Sequence, residues 1–176
     1  MHETRRVMNT KEAHARHHSA RRPGRSPFIG VISDTHGLLR PEARAALSGA
    51  TLILHAGDIG DAAVLSALAE LAPVIAVRGN NDTGAWALSL PTEALLVLAG
   101  LRILILHERA ALKRGLAGFV DLVVSGHSHR PHYERAGGIE YLNPGSAGPR
   151  RFRLPVSVAR LWLKRSPRVE LMTLDI

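Results

Sequence analysis

The sequence predicts an α/β fold in which parallel strands carry polar side chains at one edge of a sheet. Three apolar segments, residues 28–32, 51–55 and 74–77, have the composition of buried strands. Segments with helical signals separate them, and polar residues follow each strand. Strand–helix–strand units place neighbouring strands parallel, and ligands bind beyond the carboxyl ends of such strands. We therefore expect a functional site at this edge.

The first strand changes from apolar to polar within two residues. Asp34 and His36 follow it directly in the segment FIGVISDTHG. Residues two apart in an extended chain point to the same side, so these two side chains can offer an oxygen and a nitrogen to one metal ion. Asp and His are also ordinary loop residues, so this spacing alone leaves both interpretations open.

Two helices are predicted around the second strand. Residues 41–47 begin with proline and are rich in alanine, and a second helix begins at Asp61, which we interpret as its N-cap rather than as a ligand. The second and third strands end in polar motifs that contain Asp58 and Asn80. These side chains should share one edge with those after the first strand.

The next segments continue the pattern. Residues 94–98 and 101–106 predict a hairpin, whose second strand ends at His107, and residues 110–117 are predicted to be helical. Residue His107 therefore takes the same position relative to its strand as the earlier polar residues.

One more buried strand, residues 120–124, ends in the motif GHSH. Its His127 and His129 flank a small residue at the end of an apolar run, where two imidazoles have little structural use, so we interpret them as ligands. Three further segments are predicted to be antiparallel strands: residues 139–142, 156–163 and 169–174.

Length and composition limit the chemistry. The 176 residues with 45% hydrophobic content fit one domain with its own core. The chain has no cysteine, which excludes disulfides, thiolate metal sites and a cysteine nucleophile. Metal ligands must come from His, Asp, Glu, Asn or backbone oxygen, a set that suits manganese, iron, nickel, zinc or magnesium better than copper(I).

The net charge of +8 is concentrated near the N-terminus, where residues 1–26 hold seven basic and two acidic residues, four histidines and few apolar residues. We predict a disordered, basic, His-rich tail there and one domain over residues 27–176. We prefer a solvated extension to a nucleic-acid arm, a membrane-surface arm or a metal-binding histidine cluster. No membrane span or signal peptide is predicted, so the expected location is the cytoplasm.

Five motifs together resemble the calcineurin-like metallophosphoesterases, and in particular their small single-domain bacterial and archaeal phosphodiesterases. They are DTH at 34–36, GD at 57–58, GNND at 79–82, His107 and GHSH at 126–129, and NPGS at 143–146 extends the match. The resemblance implies a four-layer αββα sandwich of two mixed β-sheets flanked by helices. It also implies a phosphodiesterase, rather than a monoesterase, for small-molecule esters that include nucleotide derivatives.

The resemblance also implies a dinuclear centre. Two divalent ions, with manganese expected and iron, nickel, zinc or magnesium as alternatives, would share a hydroxide that attacks phosphorus. One ion would be held by Asp34, His36 and His129, the other by Asn80, His107 and His127, with Asp58 bridging both. By the same analogy Asp58, Asn80 and His127 would take part directly in catalysis.

Two positions depart from the family pattern. Asn81 stands where many members have a histidine that helps the leaving group depart, and Glu108 stands where relatives often continue with Gly and His. An amide has no titratable proton to donate, so we expect the rate to depend on the leaving group's own pKa. Because of Glu108, the family pattern does not determine how the substrate contacts the second metal.

Several functional alternatives stay open at this point. The fold also serves in the family as an interaction scaffold with weak catalysis, although the intact ligand motifs favour an enzyme. A nucleic-acid-directed phosphoesterase that uses the basic tail is a further alternative, and self-association into a homo-oligomer is open.

Several other polar residues allow more than one interpretation. His55 is interpreted as a packed residue behind the ligands, and Asp82 as a hydrogen-bonding partner or a turn residue. His132 is either near the site or on the surface. Two groups either face a phosphate or are ordinary loop residues: Asn143, Gly145 and Ser146, and Arg150, Arg151 and Arg153.

Overall fold

The computed structural model describes residues 26–112, 115–164 and 166–176, and the predicted tail lies almost entirely outside them. Ten strands form two five-stranded sheets. They are β1 (Ile29–Ile32), β2 (Leu52–His55), β3 (Val74–Ala76), β4 (Glu93–Leu98), β5 (Leu101–Leu106), β6 (Leu122–Val124), β7 (Pro131–Ala136), β8 (Ile139–Pro144), β9 (Ser157–Trp162) and β10 (Arg168–Thr173). Helix α1 spans Pro41–Leu47 and helix α2 spans Ala62–Ala69.

The first sheet has the strand order β10-β9-β1-β2-β3. Strands β1, β2 and β3 are parallel, as the strand–helix–strand pattern predicts, and Ile32, His55 and Ala76 lie at the same level across them. Strands β9 and β10 run antiparallel to β1 and to each other. The three parallel strands therefore end at one edge.

The second sheet has the order β4-β5-β6-β8-β7 and is also mixed. Strands β5, β6 and β8 are parallel, and the predicted hairpin of β4 and β5 is confirmed. Strand β7 was not predicted. It lies at the sheet edge, begins at Pro131 and is mostly exposed, so it has no apolar run that would mark it in the sequence.

The main core lies between the two sheets. Val31, Leu54, Ile103 and Val124 are fully buried there. A second core lies between the first sheet and the two helices, which explains why β1 is buried on both faces and has an unbroken apolar sequence. The two facing mixed sheets, with helices outside the first, confirm the metallophosphoesterase sandwich that the family resemblance implied.

The outer face of the second sheet is covered differently from the prediction. The helix expected over residues 110–117 is wrong for the residues of that range that the structure describes, because Arg109–Ala111 forms one 3-10 turn and Ala117 makes a β-bridge to Val120. Gly115 and Gly118 have φ angles of 85° and 83°, which end any helical continuation. A few alanines do not overcome the cost of starting so short a helix.

The loop after β8 joins the two sheets at the edge where the polar residues gather. Ala147 N–H donates to Ser33 O at 3.0 Å, and Gly148 N–H donates to Asp34 O at 3.2 Å. This backbone pairing places the strand ends of both sheets side by side. Among the described residues, none of the helices has the length and apolar character needed to cross a membrane.

The buried His55 makes the fold sensitive to acid. Its Nδ1 accepts from Gly57 N–H at 3.2 Å, and its Nε2 lies 3.0 Å from the Thr35 hydroxyl, which donates to Ile59 O. The ring is therefore neutral with its proton on Nε2. Burial lowers the pKa of His55 from 6.5 to about 4, although the nearby Asp34 and Asp82 charges oppose this.

We expect the metal-free protein to lose stability as the pH falls from about 6.5 to about 4, because the unfolded chain binds the proton that buried His55 resists. The slope from this group is roughly 1.4 kcal/mol per pH unit, and above pH 6.5 its contribution is constant. Urea unfolding at pH 7 and pH 5 measures it. The variant His55→Gln should show a smaller slope, and an equal slope would assign the effect to other groups.

Candidate metal centre

The loops after β1 and β2 continue the pairing of their strands and so fix the first predicted ligands. Asp34 N–H donates to Gly57 O at 3.0 Å, and His36 N–H donates to Asp58 O at 2.9 Å. The Thr35 hydroxyl donates to Ile59 O at 2.9 Å. Backbone hydrogen bonds, rather than side-chain contacts alone, therefore set the distance between these loops.

Both predicted carboxylate ligands lie against predicted histidine ligands. Asp34 Oδ1 is 3.3 Å from His129 Nε2. Asp58 Oδ2 is 3.4 Å from His107 Nε2 and 3.8 Å from His36 Nε2. The His36 and His129 rings are stacked with their centroids 5.4 Å apart. Residues that are up to 95 positions apart in the chain thus meet at one place.

His127 connects Asn80 to the rest of the cluster. Its Nδ1 lies 3.2 Å from Asn80 Oδ1, and its backbone N–H donates to Asp34 Oδ2 at 3.1 Å. Its ring meets that of His107 edge-on at 5.2 Å. All seven predicted ligands therefore form one contiguous cluster: Asp34, His36, Asp58, Asn80, His107, His127 and His129.

The cluster has a buried floor and an exposed rim. Asp34, Asp58, His107 and His129 are buried, whereas Asn80 and His127 are exposed. Ligand atoms of Asp34, His36 and His129 lie within 4.8 Å of one another, and so do those of Asp34, Asp58 and His107. The first group is the set predicted for one metal. The second shares Asp34 with it, which the prediction did not include.

The backbone is left-handed at most of these positions. Seven described residues other than glycine have positive φ, and five of them are predicted ligands: Asp34, His36, Asp58, His127 and His129, with φ between 46° and 67°. Such conformations are uncommon and concentrate at functional sites. The loops therefore adopt a less favourable backbone in order to turn these side chains toward one another.

The hydrogen bonding of the His107 ring indicates whether a cation fits in the cluster. Its Nδ1 donates to Ala56 O at 2.8 Å, which leaves Nε2 as an acceptor. That Nε2 is buried and has no hydrogen-bond partner, and the same is true of His129 Nδ1. A buried acceptor nitrogen beside a carboxylate is costly without a partner, and a divalent cation would satisfy it. The nitrogen and oxygen atoms of the cluster are therefore suitable ligands for a metal ion.

The charges in the cluster shift its pKa values. Burial opposes ionisation of Asp58, but His107 and two hydrogen bonds from Asn81 hold its pKa well below the usual range. Burial lowers the pKa of His36, with a further contribution from Arg151. Burial also works against a charge on His107, but its contacts with Asp58 and Ala56 raise its pKa overall, so Nε2 is the atom that takes up either a proton or a cation. The Asp58 carboxylate is therefore ionised at neutral pH.

Asn81 has a role that the sequence did not indicate. Its backbone N–H donates to Asp58 Oδ1 at 2.9 Å, and its side-chain Nδ2 donates to Asp58 Oδ2 at 2.6 Å. The amide thus holds the carboxylate that was predicted to bridge two metals. Only the fold brings the residue after Asn80 onto the loop after β2.

Asp82 joins two of the loops. Its carboxylate accepts from Ile59 N–H at 3.1 Å, Gly60 N–H at 2.8 Å and Gly79 N–H at 2.7 Å. It is buried. Of the two interpretations left open by the sequence, the hydrogen-bonding partner is therefore the one confirmed.

Gly79 shows why the third motif begins with glycine. A Cβ at this position would overlap the Asp58 carboxylate and its backbone nitrogen. A Cβ at Gly126 would approach Asp34 Oδ2 to 2.8 Å. Both motif glycines therefore leave room for a carboxylate of the cluster.

The structure decides most of the remaining candidates. Asp61 accepts from Ala63 N–H at 2.8 Å and caps α2, as predicted. His132 is on the surface and lies 3.5 Å from Glu134. Glu108 is half-exposed, with Oε1 3.8 Å from His127 Nε2.

The loop after β8 supports the cluster from behind. The Ser146 hydroxyl donates to Asp34 O at 2.9 Å, and Asn143 Nδ2 donates to Gly126 O at 2.6 Å. The NPGS segment, which forms the end of β8 and the first residues after it, is therefore a support for the cluster. Farther along, Arg151 Nη2 lies 3.5 Å from His36 Nε2, so this arginine reaches the rim of the cluster.

The fold and the site define a metallophosphoesterase. The family model of the calcineurin-like phosphoesterase superfamily domain matches residues 28–166, and the chain belongs to this superfamily. A probable metallophosphoesterase of Methanocaldococcus jannaschii is 38% identical over 137 residues, which cover 70% of this chain and 69% of that protein. A phosphodiesterase of the same organism is 28% identical over 137 residues, covering 66% and 82%.

Solved structures agree on the fold. An archaeal phosphodiesterase superposes with a TM-score of 0.70 at 23% identity, and the match covers 82% of this chain and 99% of that one.

We expect Asp82→Ala to lower the free energy of unfolding by about 2 to 4 kcal/mol, because it leaves buried N–H groups of two loops without an acceptor. Asp61→Ala is the matched control: it removes one exposed cap and should lose only about 1 kcal/mol. Urea unfolding of both variants measures the difference. Equal losses would contradict the bridging role of Asp82.

Proposed function

We propose that this protein is a dinuclear metal-dependent phosphodiesterase. The observation that carries the proposal is the buried, unpartnered Nε2 of His107 inside a contiguous cluster of seven nitrogen and oxygen donors. The assignment of the ions follows the family resemblance, with Asp58 between them. Manganese is the metal we propose first, and the cytoplasm is the proposed location.

The bound ions would supply Lewis acidity, which activates water and balances the charge that develops on the phosphoryl oxygens. The protein's own contribution is placement. Asn81 and His107 hold Asp58 ionised and oriented, and the His127 N–H fixes Asp34. Because Asn80 and His127 form the exposed rim, the substrate would approach from their side.

Two clefts at this rim favour a diester. One, of about 460 Å³, is lined by His127 and Arg130, and the other, of about 550 Å³, by Asn80 and Arg78. Glu108 borders both. A phosphodiester carries a second substituent that a monoester lacks, and either cleft has room to receive it. The similarity to the archaeal phosphodiesterase supports the same assignment.

The first test combines metal analysis with an ester screen. Purified protein should contain two divalent ions per chain, and after manganese reconstitution it should hydrolyse diesters faster than monoesters. Asp58→Asn should lower kcat/KM more than 100-fold and reduce the metal content. Asp121→Asn is the control, since Asp121 pairs with Arg102 near the opposite end of the second sheet.

A fully metal-loaded preparation that is inert toward every phosphate ester would overturn the proposed function. Equal loss of activity in Asp58→Asn and Asp121→Asn would instead show that the effect is one of general stability.

We expect the rate to depend steeply on the leaving group, because Asn81 is held against Asp58 and has no titratable proton to give. Aryl and alkyl methyl phosphate diesters with leaving-group pKa values from about 7 to about 15 give the slope of log kcat/KM. Equal rates across the series would show that another group protonates the leaving oxygen.

A further inference from the structure

An exposed aromatic residue lies in an unfavourable backbone conformation next to an arginine that contacts the candidate metal centre. Leu154 N–H donates to Arg151 O at 3.1 Å and closes a turn whose first central residue is Phe152. The side chain of Phe152 is 93% exposed, and its φ is 52°. A bulky residue rarely adopts this conformation, and at this exposure it contributes little to packing. Neither packing nor backbone conformation therefore explains a phenylalanine at this position.

The turn is attached to the candidate metal centre. Gly148 N–H donates to Asp34 O at 3.2 Å, and a Cβ at Gly148 would overlap Thr35 O, so the chain enters the turn pressed against the loop after β1. Arg151 Nη2 then lies 3.5 Å from His36 Nε2. Phe152 is therefore one residue away from a side chain that touches the cluster.

The turn also has a strong positive charge. Arg150, Arg151 and Arg153 are all exposed. Within the described part of the chain, none of them has a carboxylate within ion-pair distance, whereas Arg44 and Arg102 are each paired with one. An exposed aromatic face among arginines that lack carboxylate partners is the combination that binds a base by stacking and phosphate by charge.

We propose that the turn of residues 150–154 is a base-binding subsite and that the substrates are nucleotide phosphodiesters. The base stacks on Phe152, and Arg150 and Arg153 contact the remaining anionic groups. The scissile phosphate then extends past Arg151 toward His36. This inference rests on the proposed phosphodiesterase function and adds the chemical class of the substrate.

The test compares two diesters with the same leaving group: the 4-nitrophenyl ester of thymidine 5′-monophosphate and methyl 4-nitrophenyl phosphate. Loss of stacking in Phe152→Gly should raise KM for the thymidine ester roughly 5- to 100-fold. It should leave the methyl ester unchanged. Phe152→Tyr keeps an aromatic face and should behave as the wild type.

Stability gives a second readout that separates binding from structure. Glycine adopts positive φ freely, so Phe152→Gly should raise Tm while it weakens nucleotide binding. A phenylalanine needed for the fold would instead lower Tm. Phe119→Ala is the matched control for the loss of an exposed phenylalanine. Phe119 is also exposed, at 71%, but it precedes β6 at the sheet end away from the cluster.

The outcomes are distinguishable. If neither ester is cleaved, titration of the manganese-loaded protein with thymidine 5′-monophosphate still tests the subsite through the same variants, and the wider ester screen decides the proposed function. Equal affinity in wild type and Phe152→Gly overturns the subsite. A change from dimer to monomer in Phe152→Gly, with unchanged nucleotide affinity, would also overturn it and identify a contact between copies of the chain.

Discussion

Two buried carboxylates, Asp34 and Asp58, are the constraint on which the site depends. They are 0% and 2% exposed and stand at the end of an apolar core, where an isolated carboxylate is very unfavourable. The N–H of His127 and both donors of Asn81 compensate part of that charge. The imidazole of His107 faces Asp58 with an unpartnered nitrogen, so divalent cations are the natural complement of this arrangement.

The sheets make such a site possible because they place six loops at one edge. Parallel strands in each sheet end at the same level, and the loop after β8 ties the second sheet to the loop after β1 through Ala147 and Gly148. Left-handed backbone at residues such as Asp34 and His129 then turns the side chains inward. Stable hydrogen bonding between the loops, including that of Asp82, offsets this unfavourable backbone.

Sequence reasoning succeeded where the residues of one element carry a clear pattern, and it failed where that pattern is absent, mixed or spread over separate loops. The parallel order of β1, β2 and β3 follows from apolar runs separated by helices, and the cap at Asp61 follows from its position. Strand β7 has no apolar run, and the alanines after Ala110 suggested a helix that the glycines on either side of Ala117 do not allow. Asn81 was interpreted only as a missing histidine, because its bond to Asp58 joins two separate loops.

The sequence by itself determined the class of fold, because strand periodicity is written in short contiguous segments, and it identified the residues of the cluster through the resemblance of its motifs to those of a family. Only the tertiary structure decided how these motifs meet: that Asp34 belongs to both candidate ligand groups, that Asn81 orients Asp58, and that Arg151 reaches His36. Such relations depend on distances between loops that are far apart in the chain. Those distances are set by sheet register and backbone hydrogen bonds, which no local pattern encodes.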